Sequence, residues 1–253
     1  MQNLAVSNTS LALSFVLVLV ALYFGYKEQL GIDKDIIIGI VRAIIQLFTV
    51  GYLLKYIIRT NNIILTTTMI IIIVTNAAWN AKKRGQGIPD LFWISLLAIV
   101  SSTGVTIGVL VASGSIKFIP QQMVPISGMV ASNSMVAIGL CYRNMKSNFK
   151  DRHQQVLEKL ALGANIKLAS MDILRDSIKT GMSPTIDSAK TVGLVSLPGM
   201  MSGLIFAGVD PVKAIKYQIM VTFMLLSATS IASVISCYLA YKKFYNDQSQ
   251  LVL

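Results

Sequence analysis

The chain has 253 residues, of which 54% are hydrophobic and only 13% are charged. In soluble domains about a quarter of the residues are charged, so this composition excludes an ordinary soluble domain and favours a membrane protein. The net charge of +11 would suit nucleic acid. However, the basic residues lie at the ends of apolar runs, as they do at membrane faces, so no nucleic-acid partner is expected.

Seven apolar stretches are each long enough to cross the hydrocarbon core of a membrane, which requires roughly 20 residues per helix. They predict an all-α polytopic membrane protein in which residues 1–253 form a single transmembrane domain. In chain order the predicted spans are Leu11–Tyr26, Ile36–Ile58, Ile63–Ala81, Leu91–Ala112, Met123–Tyr142, Ile186–Ala207 and Val212–Tyr241. The last stretch is longer than a span needs, so that helix is expected to tilt or to protrude.

The Lys and Arg residues between the spans are unevenly divided between the two sides of the membrane. One side has fifteen, eight of them in the segment 143–183, and the other side has five. Because basic loops stay in the cytoplasm, the side with fifteen is predicted to be cytoplasmic. Seven spans then place the N-terminus outside, the C-terminus inside and the segment 143–183 in the cytoplasm.

The segment 143–183 is the only long polar stretch, and we predict that it forms a cytoplasmic helix-turn-helix. Asn165 is a good N-cap for a second helix that begins at Ile166, and Gly181 is a good residue to end that helix. Gly163 lies in the turn, between two runs of apolar residues at helical spacing. An ordinary basic loop is the alternative interpretation.

Polar side chains inside the spans are candidates for a transport pathway, because they are costly in lipid and usually face a protein interior. They are Arg42 and Gln46, Asn76 and Asn80, Asn133, and the i,i+3 pair Asp187 and Lys190. The alternative is that they link helices by hydrogen bonds, with the charged ones reaching to the membrane face. Only Asp187 offers a carboxylate within the spans, and no histidine lies there, so no metal site is predicted.

The predicted sixth span contains four residues that perturb helices, namely Gly193, Pro198, Gly199 and Gly203. Pro198 removes a backbone donor and is expected to kink the helix. Gly199 and Gly203, four residues apart, form a small face that lets another backbone approach closely. Such a helix suits a bundle interior, a dimer seam or a moving element.

No signature of an enzyme or a nucleotide-binding site is present in the sequence. The chain has no Gly-Lys pair and hence no Walker A loop, and its single histidine, His153, lies in the polar segment. Cys141 and Cys237 form no spacing motif and are interpreted as small buried hydrophobic residues. The twelve methionines could bind soft metals, but packing is the favoured explanation. No cofactor is therefore expected on this chain.

Part of the polar segment resembles the EAA-type cytoplasmic loop of ABC-transporter permeases. The resemblance lies in Glu158-Lys-Leu-Ala-Leu-Gly-Ala164, although Glu158 stands five residues before Gly163, where the usual pattern has six. In those permeases a short helix from this loop docks in a groove of the ATPase subunit. The resemblance implies a docking surface that comprises Glu158, Leu160, Ala161, Gly163, Ala164, Lys167, Met171 and Leu174.

The whole chain resembles the FetB family of iron-export permeases. The most specific strings are Asn76–Ala81, Asp187–Gly203 and Asp210–Gln218. The resemblance implies a homodimeric permease embedded in the lipid of the bacterial inner membrane. It also implies two copies of a separate ATPase subunit, which carries the ATP and Mg²⁺, and a metal-ion substrate, with iron expected. A self-contained secondary transporter or channel for a small ion or solute is the alternative.

Overall fold

The computed structural model describes residues 7–85, 87–246 and 248–252, and this part of the chain is almost entirely helical. The helices are α1 (Asn8–Ser14), α2 (Val16–Lys27), α3 (Asp33–Thr60), α4 (Ile63–Arg84), α5 (Leu91–Ala112), α6 (Pro120–Asp151), α7 (His153–Ala161), α8 (Ile166–Thr191), α9 (Gly199–Phe206) and α10 (Pro211–Ala240), with a 3₁₀ turn at Tyr241–Phe244. The prediction of an all-α fold is confirmed.

Six helices in the described chain are long and apolar enough to cross a membrane. They are Thr9–Lys27, Asp33–Thr60, Ile63–Arg84, Leu91–Ala112, Pro120–Asp151 and Pro211–Phe244, where the first combines α1 with α2 and the last combines α10 with the 3₁₀ turn. The chain is therefore a multi-pass membrane protein. Each of these helices corresponds to one predicted span, and one predicted span has no such helix.

The predicted sixth span, Ile186–Ala207, is broken into two helices. α8 ends at Thr191, residues 192–198 are irregular, and α9 begins at Gly199. Gly193 has a φ of +86°, a conformation that glycine adopts without steric cost and that a helix cannot contain. Pro198 is the N-cap of α9 and does not kink a continuous helix, so the prediction of one kinked span is wrong. Two helix-breaking signals close together outweigh the apolar composition of this stretch.

α6 is the central helix of the bundle and contacts α4, α5, α8 and α10. Its fully buried side chains include Ile138, Tyr142 and Met145. Small buried residues on the neighbouring helices, mostly alanine and serine, allow the backbones to approach closely. The Tyr142 hydroxyl shares a hydrogen bond of 3.0 Å with the hydroxyl of Ser95 on α5, so a polar pair is satisfied inside this core.

The first three helices lie at the periphery of the bundle. α3 contacts it near one end, where Leu54 and Ile57 pack against Met69 of α4 and Val124 of α6. Ile57 is the single buried residue among the described side chains of α3. The rest of this long apolar helix is open to lipid or to another protein.

The two ends of the bundle differ in charge. α6 and α10 finish at the same end, where Phe149 and Phe244 stack with ring centroids 4.3 Å apart. α4 also ends there, in Lys82, Lys83 and Arg84, and the Arg84 side chain lies against α6. We call this the basic end. At the opposite end, α5, the start of α6 and the start of α10 meet in a second apolar cluster. Because α8 begins at the basic end and α10 begins at the opposite end, the α8–α9 segment returns the chain along the bundle.

Candidate functional site

The polar segment forms a helical hairpin at the basic end, and we call residues 153–180 the basic hairpin. Gly163 has a φ of +87°, which allows the chain to reverse after α7. The N–H groups of Gly163 and Ala164 each donate to a carbonyl in the last turn of α7 at 3.0 Å. Asn165 then caps α8, because its side-chain oxygen accepts the Leu168 N–H at 2.8 Å. The predicted helix, turn, helix and N-cap are therefore all present.

Two ion pairs fix the position of α7 against α8. Lys159 pairs with Asp172 at 2.7 Å, and Arg152 pairs with Asp176 at 2.8 Å. Beneath them, the buried side chain of Val156 belongs to the main core. The hydrogen bond and the charge of Lys159 lower the pKa of Asp172 below its ordinary value. Exposed pairs of this kind contribute only about 0.2–1 kcal/mol each, so they set the orientation of α7 more than its stability.

The C-terminal residues support the hairpin from the bundle side. The hydroxyls of Tyr245 and Ser170 share a hydrogen bond of 2.7 Å. Burial raises the pKa of the Tyr245 phenol, although the hydrogen bond to Ser170 acts in the opposite direction. Lys167 lies over the ring of Tyr238 on α10, 5.7 Å from its centroid. The start of α8 is thus attached to the end of α10.

The predicted docking residues divide by burial. Glu158, Ala161, Gly163 and Lys167 are exposed, Leu160, Ala164 and Met171 are partly buried, and Leu174 is fully buried. Leu174 therefore supports the hairpin from below and offers no surface to a partner. The exposed members of the predicted set surround the turn, so this set presents the tip of the hairpin to a partner.

Two leucines at this tip were absent from the predicted docking set. Leu162 is 88% exposed and Leu168 is 59% exposed. The signal that could have found them is their position off the buried face, because each lies outside the helical runs that pack on the core. Contiguous exposed apolar residues mark protein-interaction sites, so these two leucines are candidates for contact with another protein.

α8 connects the hairpin to the middle of the bundle without interruption. It passes through Gly181, which the sequence predicted as the end of this helix, so that prediction is wrong. Gly181 is buried, and a Cβ added there would meet Cys141 Sγ and lie 2.9 Å from the Ala137 carbonyl oxygen and 3.0 Å from Ser233 Oγ. The glycine is required by close packing of α8 against α6 and α10, and not by a turn.

A cavity of about 210 Å³ lies where α8 ends, and we call it the break cavity. Its walls come from α6, α8, α9 and α10 and include Met129, Ser188, Met200, Gln218 and Thr222. The cavity lies beside the break in the predicted sixth span, since Val192, Pro198 and Gly199 line it. The cavity was not predicted from the sequence.

Gln218 is the most unusual residue of the break cavity. It is only 8% exposed, and its Oε1 atom has no hydrogen-bond partner among the described residues. The nearby Thr222 hydroxyl donates to the backbone carbonyl of Gln218 at 2.9 Å and so does not serve the side chain. An unsatisfied buried acceptor costs about 1–3 kcal/mol.

Comparison with known protein families matches residues 8–245 to the family described as "Uncharacterised protein family (UPF0014)". The chain belongs to the UPF0014 family. It is 56% identical to the "Probable iron export permease protein FetB" of Escherichia coli K12, over all of this chain and 98% of that protein. It is 35% identical to the "UPF0014 membrane protein YjkA" of Bacillus subtilis, over 96% of this chain and 97% of the relative.

A plant relative also matches this UPF0014 chain over most of its length. "Protein ALUMINUM SENSITIVE 3" of Arabidopsis thaliana is 32% identical over 95% of this chain and 88% of the relative. No solved structure matches the chain. Because these relatives cover nearly all of the chain, the peripheral helices, the basic hairpin and the broken segment all lie within the family domain.

The predicted pathway residues on α3 and α4 lie away from the break cavity of this UPF0014 protein. Arg42 and Gln46 share an exposed groove on α3, as their one-turn spacing predicted. Asn80 donates to the Asn76 side chain at 2.8 Å and to its carbonyl at 2.9 Å. Each pair is therefore local to one helix.

The other predicted pathway residues lie closer to the cavity. Asn133 donates to the carbonyl of Met129, a cavity residue, at 2.8 Å. Asp187 and Lys190 form the predicted i,i+3 pair at 3.2 Å, with both side chains about two-thirds exposed. Among the residues that the structure describes, no three His, Cys, Asp or Glu side chains gather as a metal site would require.

The glycines of α9 leave an open surface. A Cβ added at Gly199 or at Gly203 would find no described atom within 4 Å beyond its immediate neighbours. The predicted small face is therefore unfilled, and close approach of another backbone there stays a prediction.

Proposed function

We propose that this chain is the permease subunit of an ABC transporter that exports a metal ion, with iron as the expected substrate. A separate ATPase subunit, which binds the ATP and Mg²⁺, docks on the basic hairpin and drives transport. The observation that carries this proposal is the exposed apolar tip of the hairpin, with Leu162 and Leu168 beside a capped turn. The name of the Escherichia coli relative, a probable iron export permease, supports the choice of substrate.

The position of the hairpin supports a cytoplasmic location for this docking surface. It lies at the basic end, together with the Lys and Arg residues that end α4 and the lysines of the 3₁₀ turn. Basic residues next to membrane helices stay on the cytoplasmic side. A bacterial inner membrane would then place the hairpin where an ATPase and ATP are available.

The broken segment acts as a seventh crossing in this proposal. α8 and α9 together lead from the basic end to the opposite end, so they cross the membrane as a discontinuous helix. Irregular backbone at membrane depth is tolerated where it lines a cavity, and residues 192–198 lie beside the break cavity. Seven crossings place the N-terminus outside the cytoplasm, on the opposite side of the membrane from the hairpin.

α8 provides the route by which the motor acts on the pathway. The helix has 26 residues, which at 1.5 Å per residue makes it about 39 Å long. Its first turns belong to the hairpin, and its last turn forms a wall of the break cavity. A rotation of the hairpin, driven by ATP binding to the partner, would therefore move the cavity wall directly.

A second copy of the chain covers α3 in the proposed homodimer. Arg42 lies well inside this helix and is exposed, and an arginine that faces lipid at such a depth is costly. The groove that it shares with Gln46 would be buried against the partner copy. The remaining exposed apolar surface of α1 to α3 would contact lipid.

Transport by the purified chain in liposomes tests the proposal. We expect ATP-driven movement of Fe²⁺ only when the ATPase subunit is also present, together with co-purification of the two subunits. Movement of Fe²⁺ by the chain alone, driven by an ion gradient, would show that the protein is a secondary transporter and that the proposal is wrong.

A further inference from the structure

Two exposed tryptophans mark the level of the membrane interface at the basic end. They are Trp79, near the end of α4, and Trp93, in the first turn of α5. Phe92 contacts both rings edge-on, with centroids 6.0 Å from Trp79 and 5.2 Å from Trp93. The Lys82 ammonium lies 5.1 Å from the centroid of the Trp79 ring. Because tryptophan is enriched where a membrane meets water, the lipid headgroups lie at the level of the loop between α4 and α5.

A pocket of about 620 Å³ opens at this level, and we call it the lysine pocket. Its walls are the α4–α5 loop, the end of α6 and the C-terminal residues that follow α10. Pro89, which lines it, stands four residues before Trp93, a separation of about one helical turn. The residues that define its chemistry are Ile88, Lys146, Lys150, Lys243, Phe244 and Val252.

Three lysines give the pocket a positive charge. Lys146 and Lys150, one turn apart on α6, are both exposed, and Lys243 comes from the 3₁₀ turn after α10. Among the described residues that line the pocket, none is acidic. Lys243 donates to Asp90 at 2.7 Å, but an ammonium group has three donors and can bind a further acceptor. The lysines therefore favour an anionic ligand.

The rest of the lining is largely apolar. Phe244 is buried, and Ile88 packs against the main core. The exposed Val252 is held beside them, because its N–H donates to the Phe244 carbonyl at 2.8 Å. A pocket that combines lysines with apolar side chains suits a ligand in which a negative group adjoins a hydrocarbon chain.

We propose that the lysine pocket binds an anionic phospholipid of the leaflet at the basic end. The lysines bind the phosphate of the headgroup, and Ile88, Phe244 and Val252 contact the adjoining glycerol and the first part of an acyl chain. Basic pockets between membrane helices bind anionic headgroups in this way. The inference goes beyond the proposed function, since it requires neither an ATPase subunit nor a transported ion.

The bound lipid would also support the basic hairpin. The C-terminal residues that line the pocket continue into Tyr245, whose hydroxyl shares a hydrogen bond of 2.7 Å with that of Ser170 in the hairpin. A lipid held between α6 and these residues would restrain the support on which the start of α8 rests.

Native mass spectrometry of the purified full-length chain in detergent, with added phosphatidylglycerol, tests the site. We expect phosphatidylglycerol to bind at least about tenfold more tightly than phosphatidylcholine, which carries no net charge. Lys146→Gln with Lys150→Gln should remove this preference, because each lysine near an anionic headgroup contributes to its attraction. The lipid should raise the unfolding temperature of the unaltered chain and not that of the double variant.

A matched control separates the pocket from the general charge of this end. Lys82→Gln with Lys83→Gln removes the same charge from exposed positions of α4 outside the pocket, and it should leave binding unchanged. Val252→Asp adds a carboxylate at an exposed position of the pocket and should weaken binding as the α6 variant does. It tests the assignment even if the α6 variant does not fold.

Free phosphate is the other source of the same chemistry. Excess inorganic phosphate should not displace the lipid, because it lacks the apolar contacts, and displacement would overturn the assignment to a lipid. Equal binding of the two lipids, or equal loss in the α4 and α6 variants, would also overturn it. Loss of ATPase association with lipid binding intact in the α6 variant would assign the pocket to the ATPase interface. ATP-driven transport that persists in any of these cases leaves the permease function standing.

Discussion

Gly181 of α8 lies directly against the thiol of Cys141 on α6, with no room between them for a methyl group. On the N-terminal side of this contact α8 belongs to the basic hairpin, and on the C-terminal side it leads to the break cavity. The contact therefore holds α8 closely against the central helix between these two parts.

Replacement of Gly181 by alanine should destabilise the bundle. The added Cβ would meet Cys141 Sγ and the Ala137 carbonyl oxygen, and overpacking of this kind costs about 1–3 kcal/mol of unfolding free energy. Thermal unfolding in detergent measures the loss. Gly128→Ala on α6 is the control, because an added Cβ there has no described atom within 4 Å beyond its immediate neighbours. Equal midpoints for the two variants would contradict the close packing.

Local signals in the sequence predicted much of the fold. Periodicity and length identify the continuous spans, and cap chemistry identifies Asn165 at the start of α8, because both depend on residues close in the chain. Gly181 misleads for the same reason. Its role depends on the close approach of α6 and α10, which neighbouring residues in the chain do not reveal. The local sequence therefore does not distinguish a glycine needed for packing from one that ends a helix.

The candidate site was less predictable than the fold. The sequence marks the broken stretch as unusual, but glycine and proline occur in kinked helices as well as in broken ones. Only the positive φ of Gly193 in the structure distinguishes the two. Gln218 lies two residues after Lys216 in the first turns of α10, where the sequence suggests an exposed polar residue, and only tertiary packing makes its side chain a buried, unpartnered group. Tertiary contacts decide such cases, and one sequence does not contain them.

Exposed leucines at the hairpin tip should control association with the ATPase. Leu162→Ser combined with Leu168→Ser is expected to weaken that association at least about tenfold, because a few central contacts carry most of the binding energy of an interface, at more than about 1 kcal/mol each. Co-purification and a binding titration with the ATPase subunit measure the effect. Leu194→Ser is the matched control, because Leu194 is as exposed as Leu162, at 91%, but lies at the break and not at the hairpin tip. A similar loss in both variants would refute a specific docking surface.

The Lys159–Asp172 pair should hold α7 in position. Lys159→Asp or Asp172→Lys alone places like charges together and should speed amide hydrogen exchange in α7, whereas the two changes combined should restore it. Exchange followed by mass spectrometry measures this. Failure of the combined variant to restore protection would mean that the pair does not orient α7.

The same pair predicts a dependence on pH. Because Lys159 lowers the pKa of Asp172 in the folded chain, the contribution of the pair is fully present above the ordinary aspartate pKa of about 3.9. It is lost only as the pH falls through the lowered value. Protection of α7 from exchange should therefore be constant from pH 8 to pH 5, and Asp172→Asn should remove the acid-induced loss. A loss of protection near neutral pH would contradict this assignment.

The break between α8 and α9 should be essential for transport but not for insertion. Gly193→Leu disfavours the present turn, since a non-glycine residue at a φ of +86° costs about 1–2 kcal/mol, and Pro198→Leu restores a backbone donor. Together they favour one continuous helix in place of the break. Amides of residues 192–198 should then gain protection from hydrogen exchange, and ATP-driven Fe²⁺ transport should be lost. Gly203→Ala, which adds a methyl group at an open helical position of α9, is the control. If hydrogen exchange shows a continuous helix in the double variant and that variant still transports Fe²⁺ fully, the break is not part of the transport pathway.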